Sequence, residues 1–136
     1  MKKQFKILLF RVAAAAIVWR IYIWGFLDRQ PLSEIQRRDI SHAKVTLIPP
    51  DETVTVEDKE KLAQLLQSLK VKRRSTGFEI QFYSGQAVTV TINLSDGKTV
   101  QAVSVGNMWL VIDGRYYKAD YHSSENLNNW ANSLLK

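Results

Sequence analysis

Residues 78–120 read FEIQFYSGQAVTVTINLSDGKTVQAVSVGNMWLVIDGRYYKAD, and the spacing of their apolar residues decides the fold. β-Branched and polar residues alternate through AVTVTINL and TVQAVSV, the two-residue period of a half-buried strand. Turn signals fall at Ser84-Gly85, Asp96-Gly97, Gly106-Asn107 and Asp113-Gly114. Asp-Gly and Gly-Asn supply the positive φ that primed hairpin turns need, so the stretch reads as five successive antiparallel strands in a meander.

Two-residue turns also fix which residues face each other. The Asp96-Gly97 turn sets Val90 opposite Val103 and Val88 opposite Val105. The Gly106-Asn107 turn sets Val105 opposite Met108 and Val103 opposite Leu110, and Asp113-Gly114 sets Leu110 opposite Tyr117. Val88, Val90, Ile92, Leu94, Val103, Val105, Met108, Leu110 and Ile112 then share one face. For the first hairpin a three-residue loop, Ser84 to Gln86, places Phe78, Ile80 and Phe82 opposite Ile92, Val90 and Val88. Burying three such side chains is worth about 1.5–3 kcal/mol each, which favours that loop over a two-residue one. The opposite face carries Thr89, Thr91, Asn93, Val100, Ala102, Ser104, Trp109, Val111, Tyr116 and Lys118.

Outward from this stretch the period changes. Leu62, Leu65, Leu66 and Leu69 recur as one helical stripe, opened by Thr55 and Asp58 and closed by the cations of Lys70-Val-Lys-Arg-Arg74. That run reads as a solvated helix end, the alternative being a contact to anionic lipid headgroups or an anionic wall polymer. A last helix is expected from about Ser124, with Leu127, Trp130, Ala131 and Leu134 on one side. Lys44–Ile48 is a short strand ended by Pro49-Pro50. Two helices over one face of an antiparallel meander make a two-layer α+β domain over residues 44–136.

The first 27 residues differ in kind. Residues 7–27, ILLFRVAAAAIVWRIYIWGFL, are 21 in number, long enough to cross a hydrocarbon core as a helix. Lys2, Lys3 and Lys6 precede them, which places the N-terminus in the cytoplasm and the rest outside, and Trp19, Tyr22 and Trp24 suit an interfacial belt. Arg11 and Arg20 are costly in such a helix, and each either snorkels to the nearer surface or pairs with an acid on a partner helix. Residues 28–43 are polar, broken by Pro31, with Ser33 and Gln36 resembling a capping box, and read as a stalk.

The chain carries +6, but residues 1–27 hold five cations and no acid, while the other 109 residues hold 14 Lys and Arg against 13 Asp and Glu. A near-neutral domain lacks the electrostatic footprint of a nucleic-acid reader. Without cysteine there is no disulfide, thiolate metal site or cysteine nucleophile. His42 and His122 have no third ligand at metal spacing, and Asp120 with His122 reads as a helix-entry turn rather than an acid–base pair. Ser75 and the other serines lack a nucleophile-elbow context, and no phosphate-binding or dinucleotide motif is present. No catalytic residue, metal or cofactor is therefore assigned.

The Lys-rich start before ILLF, the helix DKEKLAQLLQSLK and the hairpin VIDGRYYKAD together resemble, in layout, the small single-span extracytoplasmic proteins of Gram-positive bacteria. That resemblance implies location more than activity. The expected role is a membrane-tethered binding or accessory protein that docks to an envelope protein or peptide. The alternative is a sensor or immunity-type module holding a small envelope ligand. Exposed aromatics on a rigid sheet suit a binding platform, so Trp109, Val111, Tyr116 and Lys118, with Thr89 and Thr91, form the candidate contact face. That patch is either such a platform or is covered by the Lys44–Ile48 strand, the stalk or a second copy of the chain. Arg11 and Arg20 are the candidate contacts within the bilayer.

Overall fold

The computed structural model describes residues 6, 11–18, 29–78, 80 and 85–135. The chain forms β1 (Ile40–Ile48), β2 (Glu52–Thr55), α1 (Lys59–Ser68), β3 (Val71–Ser75), β4 (Ala87–Leu94), β5 (Thr99–Val105), β6 (Trp109–Ile112), β7 (Arg115–Ala119) and α2 (Tyr121–Ser133). The strands make one seven-stranded sheet in the order β2-β1-β4-β5-β6-β7-β3, and every neighbouring pair is antiparallel. The architecture is α+β.

Both helices start where a carboxylate meets free backbone N–H groups. Asp58 accepts from the Lys61 N–H at 3.0 Å, and Asp120 from the Ser123 N–H at 3.1 Å. The expected leucine stripe is buried: Leu62, Leu65, Leu66 and Leu69 join Leu127 and Ala131 of α2 against Val45, Leu47, Val88, Val90, Ile92, Leu110 and Ile112 of the sheet. The end of α2 is held by the amide of Gln86, which donates to the Pro49 carbonyl and to Asn132 Oδ1 and accepts from Asn128 and Asn132. At the other end, the Lys70 N–H donates to Ser123 Oγ and the Asp120 N–H to the Lys70 carbonyl, joining α2 to the entry of β3.

The register differs from expectation at two of the three turns. Between β4 and β5, Asn93 pairs with Thr99 and Val90 with Ala102 rather than Val103. The Leu94 N–H donates to the Lys98 carbonyl and the Gly97 N–H to the Leu94 carbonyl, so the loop has three residues, Ser95, Asp96 and Gly97. Gly97 sits at φ +89°, the left-handed position that closes such a loop with a bulge. One extra residue reverses every side chain of β5. Val100, Ala102 and Ser104 face the core, and Val103 and Val105 face away.

At the next connection Gly106 and Asn107 have φ of 57° and 64°, the expected primed turn, with the Met108 N–H donating to the Val105 carbonyl. The ladder nonetheless pairs Val105 with Trp109 and Ser104 with Leu110, leaving Met108 as an extra residue. This second shift cancels the first, so Leu110 and Ile112 are buried as expected. The Asp113-Gly114 turn, with both residues at positive φ, pairs Leu110 with Tyr117 as expected.

The remaining differences concern neighbours distant in sequence. The places opposite Ile92, Val90 and Val88, expected for Phe78, Ile80 and Phe82, are taken by Ala43, Val45 and Leu47 of β1. Phe78 is 64% exposed in a turn, and residues 79 and 81–84 lie outside the described residues. Among the described residues the expected five-strand meander shows four strands, β4 to β7, inside a sheet of seven. The basic run after α1 is not a helix end but an edge strand, β3, paired with β7. From Arg29 onward the segment read as a stalk packs on the domain: Leu32, Ile40 and Ala43 are buried, Arg37–Asp39 form a 3₁₀ turn, and β1 begins at Ile40.

The 7–27 stretch lies largely outside the described residues. Within it 11–18 are helical and exposed, Arg11 included, and Arg20 is not described. Among the described residues no helix is long and apolar enough to cross a membrane.

A Cβ added at Gly97 meets no atom within 4 Å, so substitution there probes the backbone alone. Gly97→Ala is expected to lower stability by about 1–2 kcal/mol, and Gly97→Asn by less, as read from denaturation midpoints. A neutral Gly97→Ala would contradict the three-residue loop.

Candidate functional site

Because β5 is turned over, the face opposite the helices is more apolar than the expected one. One row across it runs Thr53, Thr46, Thr89, Val103, Val111, Tyr116 and Ser75, each paired with the next. The neighbouring row runs Ile48, Ala87, Val105, Trp109, Lys118 and Arg73. Thr91 sits one row further, paired with Lys44 and Gln101. The six residues of the candidate contact face lie on one side, while Val100, Ala102 and Ser104, expected beside them, face the core. Val103 and Val105, expected to point inward, stand among the six.

The patch is graded rather than flat. Val103, Val105 and Val111 are half-buried by their neighbours, and Tyr116 is 40% exposed at their border. Trp109, expected as an exposed anchor, is only 8% exposed, with the Arg73 guanidinium 6.0 Å from its ring centroid. Gly77, at φ +85°, lies against Tyr116, and a Cβ there would sit 3.1 Å from three ring atoms. The threonine side is ordered by a 2.9 Å hydrogen bond between the hydroxyls of Thr46 and Thr53. The face thus offers an apolar centre, hydroxyls on one side and cations on the other.

Charge is segregated between the two edges of the sheet. Lys70, Lys72, Arg73 and Arg74 lie in or beside β3, with Arg115 and Lys118 on β7, and residues 70–75 and 115–119 contain no acid. At the opposite edge the acids Asp51, Glu52, Glu57, Asp58 and Glu60 outnumber the cations Lys44, Lys59 and Lys61 around β2 and the start of α1. Both edge strands are short, four residues in β2 and five in β3, and the cations of β3 deter strand addition.

Among the described residues no group of three or more His, Asp or Glu is placed to hold a metal. Asp120 serves as the α2 cap, His122 is exposed on that helix, and His42 sits in β1 opposite Asn93. Ser75 Oγ accepts from the Gly77 N–H. A cleft of about 330 Å³ opens at the rim between Glu34, Ile35, Asp39 and the Leu94-Ser95-Asp96 turn, with neither helix lining it. Comparison with models of known families, with curated proteins and with solved structures finds no match to any of them.

Burial separates the two aromatics. Trp109→Ala is expected to destabilise the domain by about 3 kcal/mol, a large-to-small change at a buried site. Lys118→Ala should stay within about 0.5–1 kcal/mol of wild type. Thermal or chemical denaturation distinguishes these, and a neutral Trp109→Ala would show that the ring is not packed.

Proposed function

We propose that the chain is a membrane-tethered binding protein. Its N-terminal stretch anchors it, and the outer face of its sheet docks to an extracytoplasmic protein or peptide. The observation that carries the docking half is the outer face itself. Both helices spend their apolar stripes on the other side, yet Val103, Val105, Val111, Tyr116 and Ile48 keep an apolar band at the surface. Such a band on rigid strands provides contact area with little conformational entropy left to lose on binding. The flanking threonines and cations supply the polar rim that binding faces carry.

The anchoring half is supported by a largely apolar stretch of 21 residues set directly after three lysines. Within it Val12, Ile17 and Val18 are exposed rather than packed, which leaves them available to lipid. A module that holds a small ligand would place it between sheet and helices. The cleft at the rim touches neither helix.

The chain has no native cysteine, so a single Thr53→Cys label reports the side on which the domain lies. Intact cells expressing the full chain are expected to react with a membrane-impermeant maleimide, and the protein is expected to stay with membranes after alkaline carbonate. Labelling only after permeabilisation would contradict the orientation, and extraction by carbonate would contradict the anchor. With both satisfied, a photo-crosslinker at Tyr116 is expected to capture a partner that one at Glu52 does not. Equal capture at both positions would contradict the docking face.

A further inference from the structure

We propose that the β3 edge of the sheet, with Arg29, lies against the anionic headgroups of the bilayer that the N-terminal stretch crosses. This rests on the anchor reading above and adds an orientation to it. The apolar stretch ends at Leu27, and two residues later the chain is fixed to the sheet. The Arg29 N–H donates to the Val71 carbonyl at 2.9 Å, and the Val71 N–H to the Arg29 carbonyl at 2.7 Å. Both of those Val71 groups point to one side, so Arg29 is bound on the side of β3 away from β7. Two residues span at most about 7 Å, so an anchor ending at Leu27 holds the β3 edge within the headgroup layer.

The charge pattern fits that position. Arg29, Lys70, Lys72, Arg73, Arg74, Arg115 and Lys118 gather at this edge and outnumber Asp113 and Asp120, of which Asp120 is taken up capping α2. Cations held within a Debye length of a surface that carries anionic lipid are attracted to it. The acids around β2 stand six strand spacings away, about 29 Å, well beyond a Debye length of about 8 Å at physiological salt. They therefore do not cancel the attraction. With β3 down, the sheet stands on edge, and its outer face stays clear for a protein partner.

One introduced cysteine carries one fluorophore in this cysteine-free chain. Full-length protein labelled at Thr76→Cys, beside the basic edge, or at Thr53→Cys, at the acidic edge, is reconstituted into vesicles. These contain phosphatidylcholine with or without phosphatidylglycerol, and a lipid bearing a quencher on its headgroup. In phosphatidylglycerol vesicles quenching at position 76 is expected to exceed that at 53 by ~2-fold or more. The difference should shrink without phosphatidylglycerol, in about 1 M salt, where the Debye length is about 3 Å, and in K72E/R73E/R74E. The salt arm uses the wild-type edge, so misfolding of the triple variant does not decide the result. Equal quenching at both positions in a chain that resists carbonate overturns the edge contact and leaves the anchor standing. A difference indifferent to salt and lipid charge means that the tether alone sets the orientation, and it overturns the headgroup contact. A chain that carbonate strips from the vesicles overturns the anchor and the proposal together.

Discussion

Side chains on a β-strand alternate between two faces, so each connection in a meander decides by its residue count which half of the next strand is buried. In this protein the decision is made at Ser95-Asp96-Gly97. Gly97 occupies a left-handed conformation that closes a three-residue loop, and β5 enters the sheet with Val100, Ala102 and Ser104 inward. β5 is the central strand of the seven, so its parity governs both layers. Inward, Ala102 and Ser104 are small and leave volume for the leucines of α1 and for Leu127. Ser104 is 1% exposed and its hydroxyl has no hydrogen-bond partner, an arrangement that costs about 1–3 kcal/mol and that leucine packing must outweigh. Outward, Val103 and Val105 join Val111 and Tyr116 to make the apolar band.

The parts of the fold legible in the sequence are those set by local chemistry. Asp58 and Asp120 as caps, the Leu62-Leu65-Leu66-Leu69 stripe, and the Asp113-Gly114 hairpin all rest on residues within a few positions of one another. The reversal of β5 was hidden because Asp-Gly serves both a two-residue primed turn and the end of a three-residue loop. Valines on both candidate faces made either register look apolar enough. The compensating bulge at Met108 restored the faces of β6, which is why Trp109, Val111 and Tyr116 were grouped correctly from a register that was wrong one strand earlier. The burial of Trp109 has no local signal: Arg73, whose guanidinium stands 6.0 Å from its ring, is 36 positions earlier in the chain.

The neighbours of β4 and β7 were not legible, for a related reason. No hairpin turn links β1 to β4 or β3 to β7, so their pairing depends on the whole chain and not on a motif. Lys72, Arg73 and Arg74 looked like the cationic end of a helix, yet at a sheet edge the same charges discourage further pairing. Dividing the charge by sequence segment made the domain look neutral. Dividing it by position in the sheet makes one edge basic and the other acidic, and that polarity gives the domain a preferred orientation beside a charged surface.

The most direct test of this account is the β4–β5 register in solution, because the composition of the outer face depends on it. Backbone cross-strand NOEs in the full chain, held in detergent micelles, read that register directly. The account requires Val90 opposite Ala102 and Thr89 opposite Val103. NOEs that instead place Val90 opposite Val103 and Val88 opposite Val105 would turn Val103 and Val105 into the core, take the centre out of the apolar band and contradict this account.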